Sequence, residues 1–368
     1  MTLKVHLALD SGAHSIYERF LAPKTGGGIA GENVSVQADI FSKMDLSFYH
    51  GPQYKKYVDR YVAYVKKHTE ALDFYVTLDI IFNPKLSWES TLYLESCGIK
   101  PMPVFHYGED HSWFKKYLDR YEYIGVGGLG QTVTKHKYID FANKTFAMVC
   151  NSRGVPQVRL HGFAMGAFDL MLKFPWHSVD ATSPFFHARM GAVVIPAPIL
   201  KHGKLVDWNF FSPFKPFAVT ERRRFSNRSI EQLPPEIKKV FDQYLDYIGY
   251  TMQDLQEYTN RDITNLYFFL EAARHINESR QGVFGEEYPI KFYVSGKPSG
   301  AAAGVGIRDV VAGLDRLGVE NLHYLGTFFI PATTNYMLKH NIHTGDTDHG
   351  NKRPRIRPQT CPALPIRR

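Results

Sequence analysis

Three aspartates stand where short apolar runs end, which is where a carboxylate can meet a ligand. Asp10 closes the run Val5–Leu9 and precedes Ser11-Gly12-Ala13-His14. Asp79 follows Phe74–Leu78, and Asp180 follows His177-Ser178-Val179. Small residues beside a carboxylate let a ligand approach closely; the same pattern also caps a following helix. Two carboxylates converging from different strands can divide nucleophile and acid/base roles. A third, if buried, is costly without a partner, and a purine-like N–H edge is one such partner. His106 and His161 end the runs Met102–Phe105 and Val158–Leu160. Each reads as a ligand contact, a metal ligand or a core histidine. The chain has no H-x-H pair and no H-E-x-x-H, so the usual signature of a metallohydrolase is missing.

Gly127-Gly128-Leu129-Gly130 follows the run Tyr123–Val126. Its backbone N–H groups could bind a carbonyl or phosphate oxygen, although glycine turns after strands are common. A second cluster, Gly296–Gly306, lacks the Lys-Ser/Thr pair of a phosphate-binding G-x-x-x-x-G-K-[ST] loop and reads as a loop that could meet a phosphate of a polymeric substrate. Glu221-Arg222-Arg223-Arg224-Phe225-Ser226-Asn227-Arg228 reads as a solvated face or as a nucleic-acid backbone contact through Arg222, Arg223, Arg224 and Arg228.

These residues need elements to hold them. The apolar runs alternate with helical patterns such as Tyr54–His68, Trp113–Tyr121 and Ala167–Phe174. Strand–helix alternation means a parallel sheet, hence an α/β fold. Polar residues at six strand ends favour a (β/α)8 TIM-like barrel over a doubly wound sheet, which concentrates its signal in one Gly-rich turn. Lys291–Val294 and His323–Phe329, flanking a helical pattern at Ile307–Leu317, read either as the last two strands or as a small appended unit. The expected organisation is a catalytic barrel over 1–201, a mainly helical insertion over 202–285 in which the apolar spacing of Leu245–Ser279 reads as packing against the barrel, closing β/α elements over 286–335 and a basic, flexible tail over 336–368. The part from Gly26 to His50 reads as an inserted loop or hairpin over the barrel mouth.

The composition bounds the rest. With 368 residues, 44% apolar and 22% charged, the chain can bury a sizeable core and is not disordered. No run of 18 apolar residues and no secretion signal is present, so no membrane partner is expected. Three scattered cysteines (Cys97, Cys150, Cys361) suggest neither disulfides nor a zinc motif and point to the cytoplasm. Six of the formal +8 charges lie in the last 18 residues, leaving +2 elsewhere (8 − 6 = 2). The basic character therefore belongs to the tail.

In order along the chain, these segments resemble the tRNA-guanine transglycosylase superfamily of (β/α)8 barrels. Asp10-Ser11-Gly12-Ala13-His14 is similar to its D-S-G-G-[FY] motif. Thr77-Leu78-Asp79 resembles the strand ending in its base-reading aspartate, and Val126-Gly127-Gly128-Leu129-Gly130 its G-G-L-A loop. His161-Gly162-Phe163-Ala164-Met165-Gly166 resembles the M-G-V-G segment. Ser178-Val179-Asp180-Ala181-Thr182-Ser183, followed by Phe186-His187-Ala188-Arg189, is similar to the archaeal nucleophile motif F-D-S-A-x-Y-x-x-Y-A-R.

The resemblance implies base exchange. Asp180 would attack C1′ of a guanosine nucleotide, and the covalent intermediate would accept a 7-substituted 7-deazaguanine such as queuine. Asp10 would serve as general acid/base. Ser11 and Gly12 would line the site, and His14 would stand where the family stacks an aromatic on the base. Asp79 would read the base edge. His106, His161 and Gly162, with the backbone of Gly127, Gly128 and Leu129, would complete the substrate contacts. No cofactor and no metal is expected. The cysteine-bound zinc of the family's tRNA enzymes has no counterpart, because no cysteine lies between Cys150 and Cys361. The expectation is therefore the compact, phage-type enzymes that place deazaguanines in DNA, working in the host cytoplasm if phage-encoded. The partners expected are DNA and a free 7-deazaguanine base. The alternatives are the same exchange on tRNA, a metal-dependent TIM-barrel hydrolase using Asp10, His106, His161 and Asp180, and a non-catalytic nucleic-acid-binding subunit.

Overall fold

The computed structural model describes residues 3–16, 47–81, 83–128, 134–220, 229–284, 289–298, 305–328 and 332–339. The first six strands are β1 (Lys4–Asp10), β2 (Phe74–Tyr75), β3 (Val104–His106), β4 (Tyr123–Gly127), β5 (Arg159–Gly162) and β6 (Ser178–Ala181). Four further strands form two small antiparallel pairs: β7 (Ala192–Val193) with β10 (Phe217–Ala218), and β8 (Ala197–Lys201) with β9 (Lys204–Asn209). The last two strands are β11 (Lys291–Ser295) and β12 (Asn321–Thr327).

Eight of these strands make one parallel sheet in the order β2-β1-β12-β11-β6-β5-β4-β3. Every pairing in it is parallel, and β1 runs in full register with β12 from Lys4–Asn321 to Asp10–Thr327. The two edges, β2 and β3, meet at a single bridge between Val76 and Met102. There Met102 N donates to Tyr75 O (2.8 Å) and Thr77 N donates to Met102 O (2.9 Å). The sheet is thus curled until its edges touch, but one bridge replaces a full ladder at that seam. The expected run Phe74–Leu78 is shorter as a strand: only Phe74 and Tyr75 pair with β1, and the chain then meets Met102 through the single bridge at Val76.

Strand side chains alternate between faces, so one strand serves two cores. Ala8, Phe74, Val76, Met102, Val104, Tyr293 and Leu325 form a separate buried cluster with Tyr123 and Phe163 against it. Phe74 of β2 lies 5.3 Å from Tyr123 of β4 and 5.2 Å from Tyr293 of β11, ring to ring. Contacts between strands so far apart in sheet order require the concave face to close over them. The intervening residues, such as Val5, Leu7, Leu9, Ile124, Val126, Val179 and Val294, belong to the larger core beneath the helices.

The helices follow from local signals. Pro52–His68 begins with proline in its first turn and buries Tyr54, Val58, Tyr61, Val62 and Val65, a single helical stripe. Its last turn carries Lys66, Lys67 and His68 against the negative end of the dipole. Asn83 caps Pro84–Ser96 by accepting from Leu86 N (3.0 Å), and Asp110 caps His111–Leu118 by accepting from Ser112 N (2.8 Å).

Two expected boundaries differ from what is observed. The break at 201 falls in the β8–β9 hairpin, and the helix Tyr258–Phe284 belongs to the layer around the sheet. It packs on Ser183–Arg189, Phe168–Lys173 and Val305–Arg316. Two buried polar residues anchor it. Arg261 Nε donates to Ala188 O (3.1 Å), while Asn265 accepts from Val194 N (2.9 Å) and donates to Pro184 O (3.2 Å) and Ala192 O (3.1 Å). The expected tail start at 336 cuts a helix, Ala332–Lys339, in which Met337 is fully buried. An apolar contact of that kind holds a terminal helix on the core. The loop expected over the mouth lies mostly outside the described residues, as do Leu129, Arg222, Arg223, Arg224, Arg228 and everything beyond Lys339. No described helix is long and apolar enough to cross a membrane.

Candidate active site

The C-terminal ends of the parallel strands form one rim, and the expected carboxylates lie on it. Asp10 ends β1, Asp79 follows the turn after β2, and Asp180 lies in β6. Parallel pairing aligns all eight strand ends in one direction, so residues far apart in the chain converge here.

Asp180 is buried and firmly held. Its Oδ1 accepts from Ala164 N (2.9 Å), and its Oδ2 accepts from Ser295 Oγ (2.7 Å) at the end of β11. His161 Nε2 stands 3.5 Å from Oδ1. Ala164 reaches this position with φ 54°, a left-handed conformation that costs an alanine roughly 1–2 kcal/mol. That conformation is what aims the Ala164 N–H at the Asp180 carboxylate. Asp180 therefore has both oxygens oriented and fits a nucleophile.

Asp10 is tuned differently. Burial, then the charges of Asp79 and Asp180, push its carboxyl up to about 7, against hydrogen bonds from the N–H groups of Gly12 and Ser11. A carboxyl that titrates near neutrality gives and takes a proton with little driving-force penalty. Gly12 has φ 81°, a conformation suited to glycine, which lets the chain turn from β1 into the short helix Ala13–Ile16. His14 lies exposed on that helix, and Ser11 is buried behind it. The Ser11 carbonyl accepts from Tyr57 OH (2.6 Å), which ties the turn to helix Pro52–His68.

His106 bridges two acids. Its Nε2 lies 3.0 Å from Asp79 Oδ2 and its Nδ1 lies 3.2 Å from Glu109 Oε1, with all three side chains almost wholly buried. Glu109 Oε2 also accepts from His106 N (3.0 Å). Burial works to lower the imidazole's pKa, yet Glu109 and Asp79 push it up to about 10. His106 is thus an imidazolium at neutral pH. This revises the expected substrate contact: both ring nitrogens face carboxylates, so His106 positions Asp79. Glu109 was not foreseen. Its signal is the turn His106-Tyr107-Gly108-Glu109, in which Gly108 has φ 90° and Glu109 N donates back to His106 O (3.1 Å). Ser295 was also missed, although it ends a strand run as the other site residues do.

Two further expected contacts face elsewhere. His161 is fully buried, with Nδ1 2.6 Å from Ser178 Oγ and its ring 4.5 Å from that of Phe163. It supports Asp180 from the layer beneath the rim. Gly162 points to the helical side, where a Cβ would meet the Trp176 ring at 3.2 Å. Gly127 does face the rim, since a Cβ there would come 3.1 Å from the His106 ring. Gly128 follows it exposed, with φ 76°, at the point where the chain leaves β4.

Asp10, His106, His161 and Asp180 do not gather as one metal cage. His106 belongs with Asp79 and Glu109, while His161 belongs with Ser178 and Asp180. No family model matches the chain, and no curated protein or solved structure matches it.

Proposed function

We propose that the curled sheet is a (β/α)8 barrel and that its rim exchanges guanine in DNA for a 7-substituted 7-deazaguanine. The observation that carries this reading is the contrast between two carboxylates on one rim. Asp180 is oriented by Ala164 N and Ser295 Oγ, and Asp10 is pushed up to about 7. One is arranged to attack and the other to carry a proton.

An Asp180 oxygen bonds C1′ as the bond from C1′ to the purine N9 breaks, with retained geometry after a second displacement. Asp10 delivers its proton to the departing guanine. In the return step the ionised Asp10 takes the proton from the incoming base, whose nitrogen displaces Asp180 from C1′. Asp79 presents its remaining oxygen, Oδ1, to the N–H edge of the base, while His106 holds Oδ2. The target base must leave a duplex or arrive single-stranded, and Arg222, Arg223, Arg224 and Arg228 with the basic tail supply phosphate contacts. Such a protein works in the cytoplasm, that of the host if a phage encodes it.

Trapping tests the reading. Without incoming base, wild-type protein and guanine-containing DNA should give an adduct that survives denaturation and is discharged by a 7-deazaguanine. Asp180→Asn should give none. An adduct with tRNA alone would move the substrate to tRNA, and none with either polymer would remove the proposal.

A further inference from the structure

A second cluster lies at the opposite end of the sheet. His6 of β1 and His323 of β12 are directly paired in the ladder, and their rings stack with centroids 4.4 Å apart. Asp73, just before β2, is fixed beside them by its N–H to Leu7 O (2.7 Å). We propose that His6, Asp73 and His323 bind one divalent first-row transition metal ion, zinc above all, which clamps the neighbouring strands β1 and β12 to the start of β2.

Among the described residues, this is the group of three whose ligand atoms all lie within 4.8 Å of one another. His6 Nδ1 is 3.8 Å from Asp73 Oδ1, and His323 Nδ1 is 3.9 Å from Asp73 Oδ2. Both separations are too long for hydrogen bonds. Ligands at about 2.0–2.1 Å from a tetrahedral zinc stand roughly 3.4 Å apart, so the ligand atoms must draw together and the stacked imidazoles must turn toward a common point for the site to close.

The surrounding groups orient these atoms inward. Asn321 Oδ1 lies 3.2 Å from His6 Nε2, and in the tautomer in which Nε2–H donates to it, Nδ1 keeps its lone pair. Tyr293 OH donates to Asp73 Oδ2 (2.6 Å) and holds the carboxylate. His323 Nδ1 is buried and has no hydrogen-bond partner, which is costly unless a cation takes its lone pair. Two imidazoles and one carboxylate suit zinc or iron(II) far better than magnesium or calcium. The three side chains keep some exposure, so water can fill the remaining coordination position.

The site is separate from the rim. His6 and Asp10 share one face of β1 four residues apart, about 13 Å along the strand, with Ala8 between them. The metal is therefore structural, and this inference stands whether or not the rim exchanges bases.

The test uses the untagged full chain, stripped with a chelator and dialysed. Zinc should bind at one equivalent, cobalt(II) at the same site should give tetrahedral visible absorption, and zinc should raise the melting temperature. His323→Ala and Asp73→Asn should abolish stoichiometric binding, while Asp180→Asn keeps it. Tyr293→Phe, which leaves all three ligands, should weaken zinc about 10-fold. If His323→Ala fails to fold, Tyr293→Phe and the cobalt spectrum still decide. No zinc binding tighter than about 10 µM by wild type, on the order of 7 kcal/mol, would overturn the proposal. Binding that survives Asp73→Asn, or that is lost in Asp180→Asn, would overturn it too.

Discussion

At the scale of residues, the rim is a set of acids whose environments set them apart. Asp10 is raised to about 7 by burial and by Asp79 and Asp180, so the folded protein holds a proton that the unfolded chain releases near pH 4. That stability is fully present below pH 4 and is lost as pH rises to about 7. Asp10→Asn should therefore raise the melting temperature at pH 8 and change it little at pH 4, as calorimetry at the two pH values will show. The same substitution should slow base exchange by roughly 10²–10⁴-fold and remove an apparent pKa near 7 from the pH–rate profile. His106 follows the same sign in a higher window: its folded pKa of about 10 exceeds the unfolded value of 6.5, so its contribution is present below pH 6.5 and fades toward pH 10. His106→Gln leaves Asp79 and Glu109 buried without their cation. It should cost about 3–5 kcal/mol by denaturant titration at pH 7, and adding Asp79→Asn should restore part of that.

At the scale of elements, the strands were legible because each is an apolar run stopped by a polar residue. All eight lie where those runs predict, within a few residues. Asp10, Asp79 and Asp180 were legible for the same reason. The helix Tyr258–Phe284 lies inside the expected insertion, and the apolar spacing over Leu245–Ser279 already points to packing against the barrel; its polar anchors, Arg261 and Asn265, are not legible in that pattern. Their burial depends on carbonyls of Pro184, Ala188 and Ala192, which no local signal reveals. Asn265→Leu should cost about 2–4 kcal/mol, since it strands three backbone groups; an unchanged denaturation midpoint would remove that anchor. The pairing of His106 with Glu109 and the convergence of His6, Asp73 and His323 were likewise hidden. The first needs the turn geometry at Gly108, and the second needs strands from both ends of the chain to lie side by side. Ala164 gave no signal either, because nothing in its neighbours announces a left-handed alanine.

At the scale of the whole molecule, one curled parallel sheet separates two chemistries, acids at its C-terminal rim and a His-Asp-His cluster at its base. The net charge is unevenly placed, with six of the eight formal charges in the last 18 residues. Deleting 351–368 should flatten the salt dependence of DNA binding, measured as the slope of affinity against salt, while leaving the rim's acids in place. The most direct test of the central claim is release of labelled guanine from DNA on adding a 7-deazaguanine. Wild-type protein should release label and retain the new base in the polymer, and Asp180→Asn should release none. Absence of release from both DNA and tRNA, or exchange that persists in Asp180→Asn, would contradict the account.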